Sequence, residues 1–482
     1  MEKLIIMSLC HSVKKSIFFC LENYKMIFEP EINALIQRFE NTISQGSVQY
    51  YDTDDLETII DCYIAIDKLD KARIALDYAY RIHPDSTEIH CKEGKLCLME
   101  GAYEKAIEIL DPIQHTEPDY IAILAECYLR TYNFNKSKKL FSQYLTLCNT
   151  NELAAIFTDI ASLYNSHNQP ELALEFIESG IALFPDDTNI LTEKAFALEQ
   201  LDQLDQAASL FSHVLDINPY QPEIWGMLGS ILFRQNNFTE AIKAYDYTLA
   251  INPDDISAKL QRAHCLFNLG QFKEAIEPYE DYLKINPYDE MVITFLAETY
   301  ENLDEWETAQ KLYQNALNIN DNIIEAWVGL AASLHTLGNL DEAYQTIKKA
   351  NKRFPKNPTV IYSMWQIEED IATENFDDQM MKKALNHALF CLNLDPKNSF
   401  LHYTVGNMYL HFSNFKKALN HYEIAYNQNP FTEKLPLAMA ISYYALDKID
   451  KAQQFLDIAR QTIANSDEIF FSLFPDAKIF IK

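Results

Sequence analysis

The residues of this chain with the greatest capacity for chemistry are its nine cysteines and its histidines, so their spacing is the first test of function. His387 and Cys391 stand one helical turn apart, the separation that lets two metal ligands share a face. No further pair lies near them, so the set stops short of a tetrahedral site and a packed structural pair is the expectation. His90, Cys91 and Cys97 fare no better, because six residues along a helix turn the two sulfurs to different faces. The other cysteines, Cys10, Cys20, Cys62, Cys127, Cys148 and Cys265, form no CxxC pair; an odd, scattered count reads as reduced structural thiols of a cytosolic protein. No Gly-rich phosphate loop, His-Glu-x-x-His helix or Gly-x-Ser-x-Gly turn occurs. The sequence therefore assigns no catalytic, cofactor or metal residue.

Composition narrows the partners. Asp plus Glu number 70 against 40 for Lys plus Arg, a formal charge of −30, and no basic block is expected to interrupt that excess. A nucleic-acid backbone would be repelled. Gly is scarce at 10 and Pro modest at 17, which favours helices over turn-rich β architecture. Residues 1–25 are ambiguous: Leu4 to Cys10 is an apolar run behind Lys3, but His11, Lys14 and Lys15 follow at once and no run reaches the roughly 18 residues of a membrane span. The expectation is a cytoplasmic protein without a membrane span. The alternatives are an exported or membrane-tethered scaffold of the cell envelope, and translation that begins at Met26.

What must position any site is a repeat. Ala207, Ala241, Ala275, Ala309 and Ala343 follow one another at intervals of 34 residues. Four residues after each comes a large apolar side chain, Phe211, Tyr245, Tyr279, Tyr313 or Ile347, and twelve after stand Pro219, Pro253, Pro287, Asp321 and Pro355. Twelve before are the small residues Ala195, Gly229, Ala263, Ala297 and Ala331. The frame continues through Ala72, Ala106, Ser137 and Ala173 on one side and Ala384, Ala418 and Ala452 on the other, giving twelve candidate units. The interval from Ala343 to Ala384 is 41, and the extra residues, with the acidic segment Glu374 to Asp378, are expected to form a longer loop between helices.

Each unit divides into two amphipathic helices that cannot bury their faces alone. From Pro222, Ile224, Trp225, Leu228 and Leu232 form one stripe; Ala241, Ile242, Tyr245 and Leu249 form the other; Gln235, Asn236 and Asn237 make the turn. Gly229 lets the first helix approach Ala241, Tyr245 fills the wedge, and Pro253 stops the second helix. The run Trp225-x2-Leu228-Gly229, Ala241-x3-Tyr245, Pro253 resembles the tetratricopeptide signature, and Trp327-x2-Leu330-Ala331, Ala343, Pro355 repeats it. Ala275, Tyr279, Pro287 and Ala309 fall in the same columns. The resemblance covers Thr53 to about Gln461, with departures at Ile60, Ser137 and Asn149. It is similar to bacterial multi-repeat members of that family.

The resemblance implies an all-α, right-handed α-solenoid of antiparallel hairpins whose first helices line a concave groove for a protein or peptide. Residues 53–461 would form the array, 26–52 an amino-terminal capping helix and linker, and 462–482 a carboxy-terminal cap. The inward side chains would include Met227, Ser230, Phe233, Leu260, His264, Phe267, Phe295 and Glu298, a mixed apolar and aromatic lining. The same stripe could instead pack the solenoid against itself. Asp54, Glu57, Asp61 and Glu88 would make the amino-terminal end acidic, and Tyr403, Asn407, His411 and Tyr444 would give the other end polar aromatic surface. A Lys, Asn and Arg clamp of the kind some chaperone-binding members use is not expected, because Tyr403 stands where the companion Lys is needed beside Asn407 and Lys434 alone does not complete it. Ile32, Leu35, Ile36 and Phe39 would cap one end. Ile469, Phe470, Phe471, Leu473 and Phe474, ended by Pro475, would cap the other or dock a partner. The function expected is a non-catalytic scaffold or adaptor; an enzyme built on the stack is the remaining class. Partner identity and oligomeric state are not encoded in these patterns.

Overall fold

The computed structural model describes residues 30–113 and 117–479, all of whose regular structure is helical. Residues 1–25, where targeting was in question, lie outside it. The chain divides into two compact units, one ending at Asp254 and one beginning at Asp255. The first holds α1 (Pro30–Ser44) and six hairpins: α2 (Thr53–Ala65) with α3 (Leu69–Ile82), α4 (Thr87–Met99) with α5 (Tyr103–Leu110), α6 (Pro118–Arg130) with α7 (Phe134–Leu147), α8 (Leu153–Ser166) with α9 (Pro170–Leu183), α10 (Thr188–Gln200) with α11 (Leu204–Ile217), and α12 (Pro222–Arg234) with α13 (Phe238–Ile251). The second holds α14 (Ile256–Asn268) with α15 (Phe272–Ile285), α16 (Glu290–Glu301) with α17 (Trp306–Ile319), α18 (Ile324–Thr336) with α19 (Leu340–Arg353), α20 (Pro358–Asn375) with α21 (Asp378–Leu394), α22 (Ser399–His411) with α23 (Phe415–Gln428), and α24 (Leu435–Tyr444) with α25 (Ile449–Thr462). Helix α26 (Ser466–Leu473) and a 3₁₀ turn over Pro475–Ile479 follow.

The repeat columns have physical roles. The turn inside a hairpin passes through one left-handed residue, such as Asn236 at φ 59° or Gly270 at φ 72°, which suits Asn and Gly. The anchor alanines Ala207, Ala241, Ala275, Ala309 and Ala343 are fully buried. The first helix presses on the second so closely that a Cβ added at Gly229 would come within 2.8 Å of the Tyr245 ring. Second helices end just before the prolines: α13 stops at Ile251 ahead of Pro253 and α15 at Ile285 ahead of Pro287. Trp225 does more than fill space, since its Nε1 donates to the carbonyl of Pro219 at 2.9 Å while its ring stacks on Tyr247. Trp327 repeats that bond to Asp321 at 2.9 Å, and His402, in the same repeat position, makes it to Pro396 at 3.1 Å. Each of these rings holds the preceding inter-hairpin turn.

Within each unit a hairpin packs on the next, first helix against both the previous second helix and the next first helix. First helices are thus covered on two sides, so Cys91 and Cys97, on different faces, are both fully buried in one core cluster. The extra residues before Ala384 also differ from expectation. They lengthen the hairpin, α20 running 18 residues and α21 17, where α18 and α19 run 13 and 14. Glu374 continues α20 and Asp378 opens α21, because Phe376 turns left-handed at φ 53° and Asp377 caps the new helix through the amides of Gln379 and Met380. At the ends, Phe39 of α1 lies edge-on to Tyr51 and Tyr78, and Phe470 of α26 against Tyr444 of the last hairpin. Leu473, by contrast, is exposed.

Candidate functional site

The first-helix face of the unit ending at Asp254 begins with a neutralised cluster. Lys92 and Lys95 of α4 reach back to Asp61 of α2 at 2.6 and 2.7 Å, and Lys92 also meets Glu57 at 3.1 Å. Burial alone would raise the Asp61 carboxyl, but Lys95 and Lys92 hold it below its ordinary value. The acidic end expected from Glu57 and Asp61 is therefore cancelled by cations one repeat on. Farther along, Glu193 accepts from Asn165 at 2.8 Å, and burial pushes its pKa up to about 7. Arg234 forks onto Glu199 and Asp202 at 3.0 and 2.9 Å. Beside it Ser230 is exposed, Met227 is half-buried, and Phe233 is half-buried with its ring edge-on to Phe238.

In the unit beginning at Asp255, Leu260 is 1% exposed, so it belongs to the core and does not line an accessible face. His264, Phe267 and Phe295 are half-buried and touch one another: the His264 and Phe295 rings are 4.7 Å apart, Phe267 and Phe295 6.0 Å. Much of this stripe is thus spent joining α14 to α16. A second pattern was not visible in the sequence. Wedge tyrosines of the second helices send their hydroxyls through to polar groups of first helices: Tyr279 to His264 at 2.8 Å, Tyr313 to Glu301 at 2.5 Å, and Tyr422 to Asn407 at 2.8 Å. The repeat column marks those tyrosines as large, not as hydrogen-bonding groups.

The half-buried carboxylates here are under-compensated. Glu298 is pushed up to about 7 by burial and by the neighbouring charges of Glu301 and Glu325. Burial, then Asp370, raises Glu369 to about 7, while Asp370 itself meets His335 at 2.6 Å. At the carboxy-terminal end, Asn407 is engaged by Tyr422, and Tyr403 lies against the same ring at 6.2 Å.

Charge is less uniform than expected from the composition. Residues 343–367 carry five cations, Lys348, Lys349, Lys352, Arg353 and Lys356, and no acid, and all five are exposed on α19 and the turn after it. Their periodicity hid them: they are spaced among the apolar contacts of a helix, so no contiguous basic run appears.

Other chemically able groups are occupied. His387 Nδ1 bonds the fully buried Glu368 at 2.7 Å, and among the described residues no three His, Cys, Asp or Glu side chains gather to hold a metal. Burial pushes the Cys91, Cys127 and Cys265 thiols up to about 12, away from the thiolate a nucleophile needs. No described helix is long and apolar enough to cross a membrane.

Comparison with known proteins agrees with the hairpin repeat. Family models described as tetratricopeptide repeat match residues 228–299, 292–322 and 324–357. A curated relative, tetratricopeptide repeat protein 8 of Caenorhabditis elegans, is 31% identical over 93 residues, which is 19% of this chain and 18% of that protein's length. Among solved structures, a tetratricopeptide repeat protein from Parabacteroides merdae is similar at 18% identity and a TM-score of 0.41, covering 53% of this chain and 98% of that one. The Cut9-Hcn1 hetero-tetramer of the APC/C is similar at 12% identity and a TM-score of 0.42, over 98% of this chain and 99% of the other. YrrB, described as having an unusual peptide-binding site, is similar at 20% identity and a TM-score of 0.36, over 39% and 95%. The 34-residue columns and the hairpins they build agree with the matched models, and residues 228–322 and 324–357 carry tetratricopeptide repeats.

Proposed function

We propose that this chain is a non-catalytic scaffold that holds a protein or peptide on its first-helix faces. The observation that carries the reading is the row of polar and aromatic side chains on those faces, exposed at Ser230 and half-buried at Phe233, His264, Phe295 and Glu298. Ser230 and Phe233 offer one such surface in the first unit. His264, Phe295 and Glu298 offer another in the second. A surface of fixed, partly desolvated groups loses little entropy on contact. Glu298 and Glu369, whose carboxyls burial and neighbouring acids raise to about 7, favour a ligand that brings a Lys or Arg. Nucleic acid is disfavoured by the charge of −30.

The buried free thiols at Cys62, Cys91, Cys97, Cys127, Cys265 and Cys391 fit a reducing compartment, and we place the protein in the cytoplasm. Amino-terminal mass determination tests that placement: a mature chain starting shortly after residue 20 in an envelope fraction would replace it with the exported scaffold.

Affinity capture with cross-linking from the native cell tests the scaffold, wild type against Phe233→Glu. Specific partners should be recovered with the first and depleted with the second at unchanged helix content. Equal recovery would remove Phe233 from the binding face. Phe267→Glu is expected to lose local structure as well, because its ring packs on Phe272 and Phe295.

A further inference from the structure

The second helices carry a division of charge that the first-helix reading does not use. On α19, Lys348, Lys349 and Lys352, with Lys356 in the next turn, are exposed, and among the described residues none forms an ion pair with a carboxylate. Lys348 leans over the Tyr344 ring at 5.8 Å, and Arg353 is engaged with Asp321 and Asn322. Cations do favour a helix carboxy-terminus through its dipole, but that effect fades beyond the last turn, whereas this set runs from Lys348 to Lys356.

The complementary surface lies in the same chain. Residues 140–233 contain thirteen acids and a single cation, Lys194. Lys348, Lys352 and Lys356 stand five, nine and thirteen residues after the anchor Ala343. Glu178 and Asp186 stand five and thirteen after Ala173, and Asp216 nine after Ala207. These acids therefore hold repeat positions equivalent to the lysines, and all three are exposed.

We propose that the lysine edge of α19 docks the acidic second-helix edge of α9 and α11 in a second copy of this chain. The charge of −30 does not forbid it: at physiological ionic strength charges farther apart than ~8 Å are largely screened, while facing side chains in contact are not. Docking by this edge leaves the first-helix faces of both copies open to other ligands.

Sedimentation velocity and light scattering on the full-length chain test this. Association should be strongest at low salt and fall as salt rises. Lys348→Glu with Lys349→Glu and Lys352→Glu should weaken it by about tenfold or more, as should Glu178→Lys with Asp186→Lys and Asp216→Lys. Mixing the two charge-reversed chains should restore association between them, since their reversed edges are again opposite in sign. All these positions are exposed, and unchanged helix content by circular dichroism confirms folding. A wild-type chain that stays monomeric at low salt would overturn the proposal. So would reversed chains that associate like wild type, or a mixture that fails to recover association.

Discussion

The Tyr279 hydroxyl and Nδ1 of His264 share a hydrogen bond of 2.8 Å, tying a second-helix wedge residue to a first-helix ring. Burial holds His264 down at about 4, so near neutral pH its ring is uncharged. In the unfolded chain the same ring protonates near 6.5. Between those values the unfolded state binds the extra proton, so the folded form loses stability as pH falls from about 6.5 towards 4. His264→Gln, which keeps a hydrogen-bonding group but cannot titrate, should flatten that acid limb by at most about 3 kcal/mol. Hydrogen exchange of the α14 amides at pH 7 and pH 4.5 measures it; equal acid sensitivity in wild type and variant would dismiss the effect.

Glu298 runs in the opposite sense. Its carboxyl is raised to about 7, so its contribution is fully present below the ordinary value of 4.5 and is lost as pH rises through 7. Glu298→Gln should therefore stabilise α16 at pH 8 by about 1–2 kcal/mol, allowing for its partial exposure, and change little at pH 4. Urea unfolding at both pH values distinguishes this from a general packing effect, which would act equally at each.

Gly329 faces the Tyr313 ring with no room for a Cβ. Gly329→Ala should cost about 1–3 kcal/mol through overpacking. Combined with Tyr313→Leu, which clears the space, the penalties should fall short of additive, and a double-mutant cycle reads that coupling.

The Glu368–His387 pair is buried on the carboxylate side. His387→Phe should destabilise by about 1–3 kcal/mol, because it leaves the buried Glu368 carboxyl without its hydrogen-bond partner, while Glu368→Leu with His387→Phe should recover most of that loss. Thermal melts of the two variants at pH 7 check it, and a double variant no better than the single would deny the pair its role.

Phe376, exposed and left-handed at φ 53°, occupies a turn position where Asn236 and Gly270 stand elsewhere. Phe376→Gly should raise stability by about 1 kcal/mol, an inversion of the usual cost of Gly. A loss of stability on chemical denaturation would mean the ring makes a contact worth more than its strain.

The hairpins were legible because one column of alanines and one of prolines repeat at the same interval, and helix packing tolerates only small residues at the first and helix breaks at the second. The lining was less so. Leu260 and His264 are one turn apart on α14, yet the first is sealed and the second half-open, since first helices are covered from two sides and periodicity marks direction without marking depth. Asp61 looked like free charge because its partners, Lys92 and Lys95, lie a repeat away. The segment around Glu374 looked like a loop because charge suggests solvent, and an extended hairpin satisfies that equally well.

Since a hairpin within a unit touches only its neighbours, no closure condition fixes how many there must be. A duplicated segment would meet the same two surfaces its parent met, and a deleted one would leave flanks that already match. Such a chain can lengthen or shorten in whole hairpins over evolutionary time, and the extent of side-chain display it offers changes in proportion.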